Sequence, residues 1–342
     1  MISDIVLDHV AVAVEHHADA FGRYVGELGA HWVSSGPGVG FAPTQLAFGA
    51  GIRLELLEPH RVEDSDFLRR FLDRGGPGPH HLTFKVADLA GALADADARG
   101  FQAVNVDLSQ PVWKEAFLHP KQAEGILIQL AQAALDGRHR PQPPRDLPAP
   151  PPGTPATLVH VGHAVASLDD GLALFAGLLG GHLVARGADS GSVWADLTWP
   201  GAGRLRLLEP DGPTSPLSGW IGDRRGRVHH LALRFDRPDL VSGATARPDG
   251  MWEVSPADNL GMRLLLRPGD CADGFPAVAQ GYTYAMTEEI DDMKGRAKQA
   301  AGDLTDNDNL KREGKVDRAG ATVKEKVGDV ADAIKDHLPG NK

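Results

Sequence analysis

LDHVAVAV, residues 7–14, alternates a polar or small side chain with a valine, the period-two pattern of a strand half buried against a core. A related stretch returns as VGHAVASL at 161–168, and its companions return with it. GIRLELLEP (51–59) is matched by GRLRLLEP (203–210), HHLTFKV (80–86) by HHLALRF (229–235), and GILIQLAQ (125–132) by GMRLLLRP (261–268). A shorter repeat runs inside the first set, where Asp8-His9-Val10 lines up with His80-His81-Leu82 and Gly51–Glu55 with Gly125–Gln129. The chain thus reads as four copies of a module of roughly 50–60 residues, arranged as two pairs.

Each module reads as strand, helix, then two or three strands, an α+β pattern. ADAFGRYVGELG (18–29) puts Phe21, Val25 and Leu28 on one helical face and stops at Gly29. DLAGALADADARG (88–100) does the same with Leu89, Leu93 and Ala96 before Gly100. The expected architecture is tandem βαβββ modules forming cupped mixed sheets with helices outside. The proline-dense stretch 133–157 runs extended between the pairs. The expected units are 1–135, a linker at 136–155, a second unit at 156–270, a linker at 271–285, and a tail at 286–342. The tail, without an aromatic after Tyr284, is expected to be largely helical or disordered.

Composition narrows the function. The chain has 342 residues, is 42% hydrophobic and carries a formal net charge of −11, which disfavours a nucleic-acid partner. Its one cysteine, Cys271, allows no internal disulfide. The start, MISDIVLDHV, lacks the basic stretch of a secretory leader, and no apolar run has membrane-span length. A cytoplasmic protein, monomer or homodimer, acting on a small molecule is expected.

Strand phase locates the chemistry, because alternate side chains point to opposite faces. Val10, Val12 and Val14 share one face of the first strand, leaving His9, Ala11 and Ala13 on the other. By the same reasoning Glu55 opposes Leu54 and Leu56, His81 opposes Leu82 and Phe84, and Gln129 opposes Ile128 and Leu130. Each strand presents one potential ligand away from its core residues, so His9, Glu55, His81 and Gln129 meet inside the cup if the sheet curves. Two imidazoles, a carboxylate and an amide oxygen suit one divalent transition metal: Zn, Co, Ni, Mn or Fe(II). His80, His16 and His17 are expected at the surface or in loops.

LDHVAVAV, GPHHLTFKV (78–86) and FLHPKQAEGILIQLAQ (117–132) resemble the vicinal-oxygen-chelate, or glyoxalase-like, superfamily. Within it, Leu118-His119-Pro120-Lys121 followed by Gly-Ile-Leu-Ile is similar to the methylmalonyl-CoA epimerase branch. The resemblance implies paired modules around one metal, with the family's ligand positions at His9, Glu55, His81 and Gln129. It implies an enzyme that removes a proton beside a metal-polarised carbonyl or thioester, an isomerase, epimerase or lyase. Gln129 stands where the branch has Glu, which leaves Glu55 as the catalytic base among the ligands, and segment 34–49 offers no second carboxylate. A two-histidine, one-carboxylate Fe(II) dioxygenase acting on a catechol-like substrate stays open, as does a non-catalytic drug-sequestering protein.

In the second unit His163 and His230 align with the two histidines, while Arg206 replaces Glu55 and Leu265 replaces Gln129. No second metal is expected. Arg206 is a candidate for binding an anionic group of the substrate, and Asp196 and Trp199 are candidates for lining the same cup, with no direction fixed by the sequence. The tail from Met286 resembles the CsbD-like stress-response family of bacteria and adds no catalytic constellation.

Overall fold

A computed structural model describes residue 2 and residues 4–49, 51–133, 143–189 and 191–269. The segments 271–285 and 286–342, and the helical or disordered character expected of the latter, lie outside the described residues.

The first half forms an eight-stranded mixed sheet: β1 (Ile5–Ala13), β2 (His31–Ser35), β3 (Gly40–Ala47), β4 (Arg53–His60), β5 (Gly78–Val86), β6 (Ala103–Asp107), β7 (Trp113–Leu118) and β8 (Leu127–Ala133). Their order across the sheet is β2-β3-β4-β1-β5-β8-β7-β6, so the two modules join through the antiparallel pair β1·β5. The second half repeats this with β9 (Thr157–Val165), β10 (His182–Asp189), β11 (Ser192–Thr198), β12 (Arg204–Pro210), β13 (Gly226–Arg234), β14 (Thr245–Ala246), β15 (Trp252–Val254) and β16 (Leu264–Arg267). Its order is β10-β11-β12-β9-β13-β16-β15-β14. The α+β class and the tandem βαβββ plan follow from these two sheets.

The expected first helix is α1 (His17–Phe21) continuing as a wider π-helical segment, Gly22–Glu27. Phe21, Val25 and Leu28 are all buried. A helix α2 (Phe67–Gly75) joins the first two modules, and α3 (Leu89–Asp97) serves the second. In the third module α4 (Leu168–Leu172) also runs on into a π-helical segment, and α5 (Pro216–Ile221) leads to the fourth. The fourth module departs from the plan: Pro238–Leu240 is a single 3-10 turn where the others have a helix. Pro238 permits only a helix start, and the chain turns away at Gly243, whose φ is +72°.

The described residues within 2–133 and 143–269 form one compact unit. The faces of the two sheets that carry Val10, Val12 and Phe84 and, opposite, Val161 and Leu207 share a continuous core with Phe175 of the helical segment after α4. Phe84 meets Trp199 edge-on at 5.3 Å between ring centres and Phe175 at 6.5 Å. Backbone ties cross between the halves, from Ile2 N–H to Leu178 O at 3.0 Å and from Ala156 N–H to Leu28 O at 2.9 Å. The larger hydrophobic faces thus pack on each other, and each sheet's opposite face, the cup, carries polar groups beside a smaller apolar cluster, Leu57, Leu68 and Leu72 in the first half and Leu208, Leu217 and Ile221 in the second.

Candidate metal centre

The register of the first sheet assembles the cup in two rows. In one, Gln45 of β3, Glu55 of β4, Ala11 of β1 and His81 of β5 are successive partners. In the next, His9 of β1, Thr83 of β5, Gln129 of β8 and Phe117 of β7 are partners. Ala11 matters by its size: between Glu55 and His81 it leaves space that a larger side chain would fill.

His9, Glu55 and His81 come together, with one ligand atom from each lying within 4.8 Å of the others. Oε2 of Glu55 is 3.3 Å from Nε2 of His9 and 3.6 Å from Nε2 of His81. All three are buried. Asp8 Oδ2 bonds Nδ1 of His9 at 2.8 Å, fixing the ring with Nε2 toward the cup. Lys85 and Arg53 flank that carboxylate at 3.1 and 3.7 Å. Burial opposes charge on His9, but Glu55 and Asp8 outweigh it and raise its pKa to about 9. Burial likewise works against the Glu55 carboxylate, and the His9 charge and hydrogen bonds from His9 and Gln45 overcome it, lowering its pKa to about 2.

His81 differs. Burial and then the neighbouring His80 push its pKa well below the usual value, so the ring is neutral. Its Nδ1 is 2.9 Å from Nδ1 of His80, while its Nε2 is buried without any hydrogen-bond partner. A tautomer that donates Nδ1–H to His80 leaves an unshared pair on Nε2, beside the Glu55 carboxylate. An orphaned imidazole nitrogen, a carboxylate and a second imidazole oriented by an aspartate are the donor set a divalent transition metal takes, and the residues fit such an ion.

Gln129 is buried beside this group and is held by a polar chain. Thr83 Oγ1 donates to Gln129 Oε1 at 2.6 Å and lies 2.8 Å from His9 Nε2. Gln129 Nε2 in turn donates to Glu115 Oε2 at 2.7 Å, which also accepts from Trp113 Nε1 at 2.8 Å. Glu115 is thus a second carboxylate in the same cup. No repeat match marks β7 in the sequence, so Glu115 is not among the expected site residues. The available signal was phase: Glu115 sits two residues from Phe117, the partner of Gln129.

His80 departs from the expected surface position: it is half-buried in β5, against Phe71 at 4.9 Å between ring centres. His17 is also packed inward, its Nε2 3.0 Å from Ala42 O, whereas His16 is exposed.

The second sheet corrects one alignment. Ala11 partners Glu55 and His81 in the first sheet, and Gly162 partners Arg206 and His230 in the second. Gly162 is therefore the counterpart of Ala11, and His160, not His163, stands where His9 stands. His163 points into the shared core, against Phe175, with Nε2 2.8 Å from Glu124 O. His160 and His230 face each other with Nε2 atoms 3.2 Å apart. A Cβ on residue 162 would lie 2.1 Å from the His230 ring, so this close approach requires glycine. Arg206 lies in the cup but is clamped by the fully buried Asp196 through two bonds of 2.7 Å. Trp199 does not line that cup; the indole is buried in the core and donates to Leu179 O at 2.6 Å.

Fold and site together define a class. Residues 8–117 belong to the Glyoxalase/Bleomycin resistance protein/Dioxygenase superfamily, whose model they match. The CsbD-like family model matches residues 286–336. Methylmalonyl-CoA epimerase from Mycobacterium tuberculosis is similar at 30% identity, covering 38% of this chain and 88% of that one, with a TM-score of 0.34. A hypothetical protein from Bacillus halodurans C-125 is 26% identical, covering 42% of this chain and all of its own, with a TM-score of 0.35. A mutant 4-hydroxymandelate synthase from Streptomyces coelicolor, 15% identical, covers 79% of this chain and 94% of its own with a TM-score of 0.50, so it shares the two-half fold. No curated protein sequence matches the chain. Among the described residues, no helix is long and apolar enough to cross a membrane.

Proposed function

We propose that the first cup binds one divalent transition metal through His9, Glu55 and His81, with Gln129 as a fourth ligand. In this reading the chain is a metal-dependent isomerase, epimerase or lyase acting on a small carbonyl or thioester. The observation that carries it is the buried, partnerless Nε2 of His81 beside the Glu55 carboxylate. Residues 1–135 are the catalytic unit, 156–270 a half without metal, and 286–342 a CsbD-like appendage of a cytoplasmic protein.

Held by His9, Glu55 and His81, a divalent ion would supply Lewis acidity toward a carbonyl oxygen in the cup. Glu55 accepts the proton at Oε1, the oxygen that Gln45 Nε2 orients from 3.1 Å. Glu115, oriented by Gln129 and Trp113, is the second acid–base group. β4 and β7 flank β1, β5 and β8 in the sheet, so the two carboxylates approach a substrate from opposite sides. That arrangement supplies the base on each face that an epimerisation needs.

The test is solvent-deuterium exchange at C2 of methylmalonyl-CoA as a probe thioester, with the chain loaded in turn with Zn, Co, Ni and Mn. Exchange is expected, and Glu55→Gln should reduce it about 10²–10⁴-fold. Metal content measured on the same variant separates loss of the base from loss of the ion. A loaded wild-type chain that exchanges nothing sinks the thioester reading. The two-histidine, one-carboxylate set also supports a second reading, an Fe(II) dioxygenase, which oxygen uptake with a catechol-like substrate would reveal.

A further inference from the structure

The second cup contains a cavity of about 1050 Å³ that the chemistry proposed for the first does not use. Trp194 of β11 and Trp220 of α5 stand on its walls, and Val159, Leu208 and Leu265 extend the apolar surface. Arg206, Arg247, Arg263 and Arg267 line it against only Asp189 and Asp249. The guanidinia are built in. That of Arg206 lies 4.4 Å from the Trp194 ring centre, and that of Arg263 lies 5.4 Å from the Trp220 ring centre. Asp196 clamps Arg206, and Glu253 pairs with both Arg263 and Arg247. Gly187 makes room for one wall: a Cβ there would meet the Trp194 indole at 2.3 Å.

Hydrogen-bond donors outnumber acceptors on these walls. The Nε1–H of Trp194 and the Nε–H of Arg263 are both buried with no partner. The charged groups that line the cavity itself are mostly cationic, four guanidinia against the two carboxylates of Asp189 and Asp249. The local field has the same sign. Burial first, and then neighbouring arginines, hold His160 and His229 below their usual pKa range. By register Arg206 occupies the position of Glu55, so a fixed guanidinium stands where the first cup carries a metal-ligating carboxylate.

We propose that the second cup is a binding site for a planar aromatic anion. The rings lie along the apolar wall that includes Trp194, Trp220 and Leu265, and the anionic oxygens face the guanidinia of Arg206, Arg247, Arg263 and Arg267. The volume, at the upper end of small-ligand sites, suits two fused rings better than one.

Calorimetric titration of the full chain tests this with 2-naphthoate, the neutral 2-naphthamide, 2-naphthylmethylamine and inorganic phosphate. One equivalent of 2-naphthoate should bind at least ~10-fold tighter than the amide, as charge-assisted hydrogen bonds require. The amine should not bind, and phosphate should bind at least ~10-fold more weakly than 2-naphthoate, because it cannot use the indoles. Ala232→Trp, which fills the cavity from its lining, should lower affinity for 2-naphthoate at least ~10-fold, while Glu55→Gln in the first cup leaves it within ~2-fold. Equal affinities for acid and amide overturn the proposal without any variant. Phosphate binding as tightly as 2-naphthoate overturns its aromatic half. Affinity lost in Glu55→Gln but kept in a folded Ala232→Trp overturns the location.

Discussion

Asp8 Oδ2 lies 2.8 Å from Nδ1 of His9 on the neighbouring residue, and the ring it orients has its other nitrogen 3.3 Å from Glu55. An alternating strand would send these neighbours to opposite faces. A register irregularity at Leu7/His9 interrupts the alternation and lets both reach one polar cluster. The aspartate then sets the tautomer and basicity of an imidazole in the proposed metal site. Asp8→Asn should weaken metal affinity about 10–100-fold while the fold persists. Competition against a chromophoric chelator reads this, and an unchanged affinity contradicts the role.

Metal-free protein should lose stability on both sides of neutrality. Burial holds His80, His81 and His163 below the usual histidine range, His80 and His163 at about 4, so on acidification they bind protons only after unfolding. Stability therefore falls as pH drops below about 6.5, the ordinary histidine value. His9 acts oppositely: with a folded pKa of about 9, its contribution is complete below the unfolded value and disappears as pH rises through about 9. Urea midpoints of chelator-treated protein between pH 5 and 10 test both limbs. His9→Asn should flatten the alkaline limb alone, and an alkaline limb unchanged in that variant contradicts the assignment.

Removing the second carboxylate should separate exchange from inversion. Glu115→Gln keeps the hydrogen-bonding shape beside Gln129 but cannot shuttle a proton. Deuterium uptake from the Glu55 side should continue, while interconversion of the substrate's two configurations slows about 10²-fold. Parallel loss of both activities would place Glu115 in a structural role.

The two halves should fail together when their backbone contact is forced apart. Gly125 has φ +79°, and a Cβ there would sit 1.9 Å from Gly226 O across the join. Gly125→Ala combines a left-handed backbone with a direct clash and should cost about 2–4 kcal/mol, lowering Tm in one cooperative transition. A loss within about 0.5 kcal/mol would show that the join yields freely.

Much of the cup was legible because β-strand phase is a strict rule. Val10, Leu54, Leu82 and Ile128 mark the core face, so His9, Glu55, His81 and Gln129 fall on the other. Phase fails where pairing is irregular or a match is ambiguous. The stretch TLVHVGHAV at 157–165 contains two histidines, and similarity to LDHVAVAV selects His163, whereas strand pairing selects His160. Glu115 and Thr83 gain significance only from neighbours on other strands, which no local pattern records. Trp199 was misplaced for a similar reason: its partners, Phe84 and Leu179, are remote in sequence or on another element.

Metal stoichiometry is the most direct measurement of the central claim. After equilibrium dialysis of the full chain against Zn, Co, Ni, Mn or Fe(II), elemental analysis should find one tightly held ion per chain. His81→Ala should remove it, and His230→Ala in the second cup should leave it in place. No stoichiometric ion with any of these metals, or an ion retained in His81→Ala, would contradict the account.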